Sequence, residues 1–351
     1  MKRNRKAVII TVFMAIIAAL LIINHSNSTL RGKDTNFAVS DTSNITRIFL
    51  ADKDNNTCNL HREANGTWML NGKYPVMNET KDGMLKTLLN ITVKMPVAKA
   101  ARNTVIKLLA AKSVKIEIYQ QVYRIDLFDK VKLFPHEKCT RTYYVGDVTM
   151  DNRGTFMLME GSENPCIVYI PSFRGFVAAR YSALEKDWRD RNVFALKLPD
   201  IKSVEVLYNE NPAWSFQLTN NNNRNFVLTS VTGAQLTNYD TLKVIQYLGS
   251  FRNISFEAFM DDNKAFRDSI AATVPAISIS VTDVKGIKKT AKLWHKKSPY
   301  KTVDLFENPM EMDPDRMFAM VNEGKDLVLV QSYTFDKILR KLPWFTTGSE
   351  K

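Results

Sequence analysis

The chain repeats part of its own pattern, and this repetition constrains the fold more than any other feature. When residues 48–70 are aligned without gaps to residues 206–228, apolar residues coincide at six positions. The coinciding pairs are Ile48 with Val206, Leu50 with Tyr208, Cys58 with Phe216, Leu60 with Leu218, Trp68 with Phe226, and Leu70 with Leu228. In both segments the apolar residues alternate with polar ones in three short bursts, which is the pattern of half-buried strands. Each copy is therefore expected to begin with three strands.

Both copies then change to a helical period. Residues 78–93 place Met84, Leu85, Leu88 and Leu89 on one helical face, and residues 238–254 repeat this arrangement. Asn78 and Asn238 are the predicted N-caps of these two helices, because asparagine is favoured at that position.

Two further matches follow in the same order along the chain. Residues 100–119 align with residues 261–280 and predict a short helix followed by a strand. Residues 168–173 resemble residues 328–333 and predict a strand that runs into a helix. Strands and helices are segregated rather than strictly alternating, which favours an α+β fold with mainly antiparallel sheets.

The repetition predicts how the chain is divided. Repeat one spans residues 42–197 and repeat two spans residues 198–345, with the joint near Leu198-Pro199-Asp200. Residues 1–24 form a cytoplasmic stub and an anchor, residues 25–41 a polar tether, and residues 346–351 a tail. We expect two tandem duplicated α+β units behind an N-terminal transmembrane helix.

The anchor is predicted from residues 7–23, which read AVIITVFMAIIAALLII and contain Thr11 as the single polar side chain. At about 1.5 Å per residue this segment makes a helix of roughly 25 Å, which is the lower limit for spanning a bilayer core. Four basic residues precede it: Lys2, Arg3, Arg5 and Lys6. Positive charge favours the cytoplasmic side, so the N-terminus is expected in the cytoplasm and the bulk of the chain in the periplasm. A cleaved signal peptide is the alternative, although the segment is long and no A-x-A site follows it.

The motif Trp188-Arg189-Asp190-Arg191-Asn192-Val193-Phe194 follows Tyr143-Tyr144-Val145-Gly146-Asp147 and precedes a strand pattern at residues 201–206. With the anchor and the duplicated layout, these motifs resemble the bacterial family known as domain of unknown function 4340. The resemblance implies a single-pass protein of the inner membrane that faces outward. It also implies a similarity to accessory components of ABC transporters of the gliding-motility type. It supplies no catalytic residues.

Composition limits the classes of partner. Lys and Arg number 49 against 36 Asp and Glu, so the net charge of +13 favours anionic surfaces. The basic residues are scattered, and no basic stripe interleaved with aromatic residues indicates nucleic-acid binding. The three cysteines contain no C-x-x-C pair. They are expected to be core residues, or else Cys139 and Cys166 form a disulfide.

No motif predicts a catalytic, cofactor-binding or metal-binding residue. The four histidines lack metal-binding spacing, and neither a G-x-S-x-G elbow nor a P-loop occurs. The carboxylate pairs Asp261-Asp262 and Asp313-Pro314-Asp315 are expected to cap helices. A hydrolase that uses such carboxylates is the second alternative function.

The cluster Trp188, Arg189, Asp190 and Arg191 is the candidate contact site. Alternating arginine and aspartate beside an aromatic ring suits an anionic partner, because guanidinium groups form bidentate bonds. The other interpretation is a staple between the repeats, with Trp188 wedged between them and Asp190 paired with an arginine.

The predicted function is non-catalytic. We expect an anchored extracytoplasmic scaffold or an accessory subunit of an envelope transport or motility complex, with membrane-protein partners and the inner membrane contacted through residues 7–23. A binding module for an anionic envelope ligand, either lipid or cell-wall polymer, is the first alternative. The sequence leaves the oligomeric state open.

Overall fold

The computed structural model describes residues 10–17, 34–127, 131–221, 225–260, 263–298, 303 and 307–346. Residues 10–17 form a helix, α1, whose large apolar side chains are exposed. The predicted span over residues 7–23 lies partly outside the described residues. Among the residues that are described, no helix has both the length and the apolar character needed to cross a membrane.

Contacts along the chain separate two units, Met1–Asp190 and Arg191–Lys351. In the first unit the strands are β1 (Ile45–Ala51), β2 (Thr57–Arg62), β3 (Trp68–Leu70), β4 (Tyr74–Pro75), β5 (Thr92–Pro96), β6 (Val114–Leu127), β7 (Val131–Val148), β8 (Thr155–Met159) and β9 (Cys166–Tyr169). Helix α2 (Asn78–Asn90) precedes β5, and helix α3 (Lys99–Lys112) follows it. The sheet has the order β4-β3-β2-β1-β6-β7-β8-β9-β5.

The second unit begins with β10 (Asn192–Phe194), β11 (Ile201–Tyr208), β12 (Phe216–Asn220), β13 (Phe226–Ser230) and β14 (Gln235–Leu236). Helix α4 (Thr241–Gly249), β15 (Ile254–Ser255), β16 (Ala258–Phe259) and helix α5 (Lys264–Ala271) follow. The unit closes with β17 (Ile277–Asp283), β18 (Lys288–Lys297), β19 (Met312–Val321), β20 (Asp326–Gln331) and helix α6 (Ser332–Phe335). Its sheet has the order β14-β13-β12-β11-β17-β18-β19-β20-β16.

The two sheets have the same strand order, which is what a duplication requires. All strand pairs within them are antiparallel. The predicted α+β class with mainly antiparallel sheets is therefore confirmed. The apolar residues that coincide in the sequence alignment are buried in both copies, from Ile48 and Val206 to Leu70 and Leu228.

In each unit, one helix packs on each of the two faces of the sheet. In the first unit, Met84 and Leu88 of α2 belong to the main core, while Val105 and Leu109 of α3 cover side chains such as Phe156. Phe156 neighbours the core residue Met157 on β8, and consecutive strand residues point to opposite faces. The second unit repeats this scheme, with α4 on its main core and α5 in a small separate cluster.

The helix starts show where local sequence signals were misleading. Helix α2 begins at Asn78, but its N-cap residue is Met77 and no side chain caps it. Helix α4 begins three residues after the predicted cap Asn238, because the carboxylate of Asp240 accepts hydrogen bonds from the N–H groups of Leu242 and Lys243. The prediction that Asn238 caps this helix is wrong.

The ends of the predicted segments also differ in the structure. Phe37 and Val39, expected in the tether, are buried in the core of the first unit, and the N–H of Val39 donates to the carbonyl of Leu88 at 2.9 Å. Residues 191–197, expected at the end of repeat one, lie in the second unit. The reason is that β10 pairs with β15 and places Phe194 in the second core.

Candidate partner-contact site

Trp188 is a core residue of the first unit. A short 3-10 helix, Glu185–Asp187, leads into it and leaves the indole fully buried. The indole N–H donates to the carbonyl of Ser182 at 2.7 Å, and the carbonyl of Trp188 accepts from the N–H of Met77 at 2.8 Å. The indole ring packs in the core of the first unit, and both the indole N–H and the carbonyl of Trp188 bind neighbouring backbone groups.

Arg189 and Asp190 continue this backbone contact along the end of β4. Arg189 forms an isolated antiparallel bridge with Val76, and the N–H of Asp190 donates to the carbonyl of Pro75 at 2.9 Å. The Arg189 side chain is largely buried, with its guanidinium carbon 3.9 Å from the ring centroid of Tyr74. This is cation–π geometry, in which the ring face attracts the positive charge.

Arg191 is the first residue of the second unit. Its guanidinium Nη1 donates to the carbonyl of Glu257 at 2.8 Å, and its own carbonyl accepts from the N–H of Phe256 at 3.0 Å. Trp188, Arg189 and Asp190 therefore form hydrogen bonds with the backbone of the first unit. Arg191 forms hydrogen bonds with the backbone of the second unit.

Glu257 also binds Arg316, a pair that sequence reasoning missed. Arg316 Nε lies 2.8 Å from Glu257 Oε2, and Arg316 Nη2 lies 3.2 Å from Oε1, which is a bidentate arrangement. The hydrogen bonds from Arg316 hold the pKa of Glu257 below its ordinary value. These two residues are far apart in the sequence, and the pairing of β16 with β20 and β20 with β19 brings them together. No local motif could have indicated the pair.

Asp313 lies at the beginning of β19, so the prediction that the Asp313-Pro314-Asp315 motif caps a helix is wrong. Its carboxylate binds Lys296 Nζ at 2.8 Å and accepts the N–H groups of Asp315 and Arg316. Burial alone raises the pKa of Asp313, but these hydrogen bonds hold it below its ordinary value. A carboxylate kept ionised in this way is unsuited to donate a proton as a general acid. The other predicted pair, Asp261-Asp262, lies outside the described residues.

The three cysteines are free thiols, with Cys58 and Cys166 buried and Cys139 half-buried. The thiol of Cys58 lies 3.1 Å from the carbonyl of Ala183. Within the described part of the chain, no group of three or more His, Cys, Asp or Glu side chains is placed to hold a metal ion.

A small basic pocket of about 230 Å³ lies at the β17–β18 and β19–β20 turns of the second unit. Its polar lining includes Lys288, Lys289, Thr290, Asn322 and Lys325. Two of its lysines have acidic partners, since Lys325 lies 3.0 Å from Glu323 and Lys288 lies 3.4 Å from Glu205. The pocket is smaller than the roughly 300–1,000 Å³ typical of ligand sites.

No curated protein and no solved structure matches the chain. A family model described as Domain of unknown function (DUF4340) matches residues 68–269, which is more than half of the 351 residues. The matched region runs from β3 into α5 and so includes parts of both units. The chain belongs to this family of domains of unknown function, as its Trp188–Phe194 and Tyr143–Asp147 motifs indicated.

Proposed function

We propose that this protein is a membrane-anchored, extracytoplasmic scaffold or accessory subunit of an envelope transport or motility complex of the ABC-transporter-associated type. The observation that carries the membrane-anchored part of the proposal is the exposure of α1. Ile10, Phe13 and Met14 are 62–63% exposed on this helix, and exposing apolar surface to water costs about 25 cal/mol per Å². A bilayer around residues 7–23 would remove that cost.

Charge supports the orientation. Lys2, Arg3, Arg5 and Lys6 precede the apolar segment, and such residues stay on the cytoplasmic side. Both folded units follow the segment, so this orientation places them in the periplasm. The shared strand order of the two sheets supports an origin by duplication, which supplies two related surfaces for contact with other proteins.

The anchor and the orientation are tested on membranes from cells that express the full chain. We expect carbonate to leave the protein in the membrane fraction, and external protease to digest it in spheroplasts but not in intact cells. N-terminal sequencing should find residues 1–23 retained. A mature protein that lacks these residues and is released by carbonate would contradict the anchor and support the cleaved signal peptide.

The contact function is tested by cross-linking in cells, purification in detergent and identification of bound proteins. We expect membrane-protein subunits of a transport complex to co-purify. Arg189→Ala and Arg191→Ala distinguish the two interpretations of the candidate site, with Arg174→Ala as a control because Arg174 is exposed. Loss of the partner with an unchanged melting temperature indicates recognition. A lowered melting temperature indicates a structural role for the arginine, such as the contact of Arg189 with Tyr74 or of Arg191 with Glu257.

A second candidate is a binding module for an anionic envelope ligand, which the basic pocket at Lys288, Lys289 and Lys325 favours. Retention on anionic lipid or cell-wall material should then fall with added salt, because salt screens exposed charges. Lys289→Glu should also weaken that retention. If neither added salt nor Lys289→Glu reduces retention, the pocket is not the binding site.

A further inference from the structure

Strands β6 and β7 of the first unit continue beyond the sheet that they help to form. Strand β1 follows β6 only from Lys115 to Gln120, and β8 follows β7 only over Tyr143–Val148. Beyond these points, residues 121–127 pair with residues 131–137 across the hairpin. We call the residues 121–127 and 131–137 the ribbon.

The second unit shows that the fold does not require the ribbon. Its corresponding hairpin, β17–β18, is paired with β11 along the whole of β17, from Tyr208 opposite Ile277 to Ile201 opposite Asp283. A turn at Asp283 and Gly286 then closes the hairpin directly. The two sheets otherwise share one strand order, so the ribbon distinguishes the first unit from the second.

The far part of the ribbon exposes apolar side chains. Ile125 is 41% exposed, Leu133 is 46% exposed and Phe134 is 64% exposed. Ile125 and Leu133 are opposite each other in the strand register, so both point to the same face. A two-stranded hairpin without further partners is only marginally stable in water. Contact with an apolar phase would therefore stabilise the ribbon.

Basic side chains accompany these apolar ones. Arg124 and Lys132 are exposed, and the acidic Asp126 is opposite Lys132 in the strand register. Nearer the root of the ribbon, the acidic Glu137 is paired with Arg47 at 3.1 Å. Apolar side chains flanked by Arg and Lys are typical of segments that bind the interface of anionic phospholipid bilayers.

The chain enters the first unit beside the root of the ribbon. The side-chain amide of Gln120 donates to the carbonyl of Asp41 at 3.1 Å, and the N–H of Gln121 donates to the carbonyl of Asn44 at 2.8 Å. Ten residues, 24–33, separate the apolar segment from the described chain, and they reach at most about 35 Å. The seven residues 121–127 extend about 23 Å at roughly 3.3 Å per residue. A ribbon of this length lies within reach of the bilayer that holds the anchor.

We propose that the ribbon docks on the periplasmic surface of the inner membrane, with Ile125, Leu133 and Phe134 in the interface and Arg124 and Lys132 on phospholipid phosphates. The proposal rests on the anchored topology proposed above. The ribbon then fixes how the first unit is held over the bilayer.

The test uses the full chain reconstituted in phosphatidylcholine vesicles with and without phosphatidylglycerol. Phe134→Cys carries an environment-sensitive fluorophore in a Cys139→Ser background, in which the remaining Cys58 and Cys166 are buried. The matched control is Val284→Cys, which is 53% exposed in the corresponding turn of the second unit. We expect a blue-shifted emission and several-fold quenching by brominated lipid at position 134 but not at position 284. Arg124→Glu combined with Lys132→Glu should abolish most of that quenching.

Equal signals at positions 134 and 284 would overturn the proposal, and Leu133→Cys repeats the measurement if the Phe134 variant does not fold. A blue shift that appears in native membranes but not in pure lipid vesicles would assign the ribbon to a protein partner and overturn the lipid contact. Carbonate extraction of the same vesicles reports on the anchor separately. If carbonate releases the chain, the anchored topology is wrong. Lipid binding by the ribbon can then still be measured, by comparing flotation of the wild type and of the Arg124→Glu/Lys132→Glu variant with anionic vesicles.

Discussion

At the residue scale, burial sets the chemistry of two of the three cysteines. Burial raises the pKa of Cys58 to about 12 and that of Cys166 to about 11, from an ordinary value of 9.0. The thiolate is the reactive form, so raising the pKa lowers the reactive fraction at neutral pH. Cys139, in contrast, is only half-buried on β7.

We predict that iodoacetamide at pH 8 alkylates Cys139 in the native protein and reaches Cys58 and Cys166 only after unfolding in guanidinium. Peptide mass spectrometry measures the three sites separately. The Cys139→Ser variant is the control, and we expect it to take up no label before unfolding. Prompt labelling of Cys58 in the native protein would contradict its burial, and labelling of Cys139 that requires prior reduction would indicate a disulfide.

The same pKa values give the sign of the pH effect on stability. Above pH 9 the unfolded chain loses the Cys58 proton while the folded chain keeps it until about pH 12. The stabilisation from the buried thiol is thus complete below pH 9 and is lost as the pH rises toward 12. Replacement of Cys58 by alanine should flatten the decline in unfolding free energy over that alkaline range.

At the element scale, the packing of α3 on the sheet depends on Gly146 of β7. A Cβ atom at this position would lie 2.5 Å from Leu109 Cδ2 and 3.3 Å from the carbonyl oxygen of Phe156. Gly83, within α2, has open space around its Cβ position and a helical backbone. The two glycines therefore form a matched pair for the same substitution.

We predict that Gly146→Ala lowers the free energy of unfolding by about 1–3 kcal/mol, because overpacking displaces α3. Gly83→Ala should instead be neutral or raise it by up to about 1 kcal/mol, because alanine favours the helix. Urea denaturation followed by circular dichroism measures both. In a double-mutant cycle, Leu109→Ala should relieve part of the Gly146→Ala penalty, and strict additivity would show that the two side chains do not meet.

Elements with a strong period were predictable from the sequence, because burial imposes the period directly. The alternation in residues 48–70 and 206–228 located β1–β3 and β11–β13, and Val105 with Leu109 located the face of α3. Caps and hairpin lengths were not predictable in the same way. Asp240 competes with Asn238 as a cap, and the alternation along β6 and β7 does not reveal where the sheet ends and the ribbon begins.

The sequence singled out the residues of the candidate site but did not indicate their surroundings. The motif at residues 188–191 suggested either a partner contact or a staple with Trp188 between the repeats, and the structure buries Trp188 in the core of the first unit. Contacts such as Arg189 on Tyr74 and Arg191 on Glu257 depend on sheet pairings between distant segments. No local pattern encodes those distances.

At the scale of the whole molecule, each unit has a main core of its own. The core of the first unit is built from residues between Phe37 and Trp188, and that of the second from residues between Val193 and Phe345. A substitution in one of these cores removes packing from that unit alone. Its effect on the other unit therefore measures how strongly the two are coupled.

Trp188→Ala makes this measurement, because the indole is fully buried in the first core and its removal leaves a cavity that costs about 3–5 kcal/mol. We predict that hydrogen exchange of β1 and β6 accelerates by orders of magnitude, since exchange of core amides follows the free energy of opening. Exchange of β11 and β17, which occupy the same places in the second sheet, should change little. Trp188→Phe keeps most of the volume but loses the hydrogen bond to Ser182, so its effect should be intermediate. Equal acceleration in both sheets would show that the two units unfold as one cooperative body. The Trp188→Ala substitution would then destabilise the second unit as well as the first.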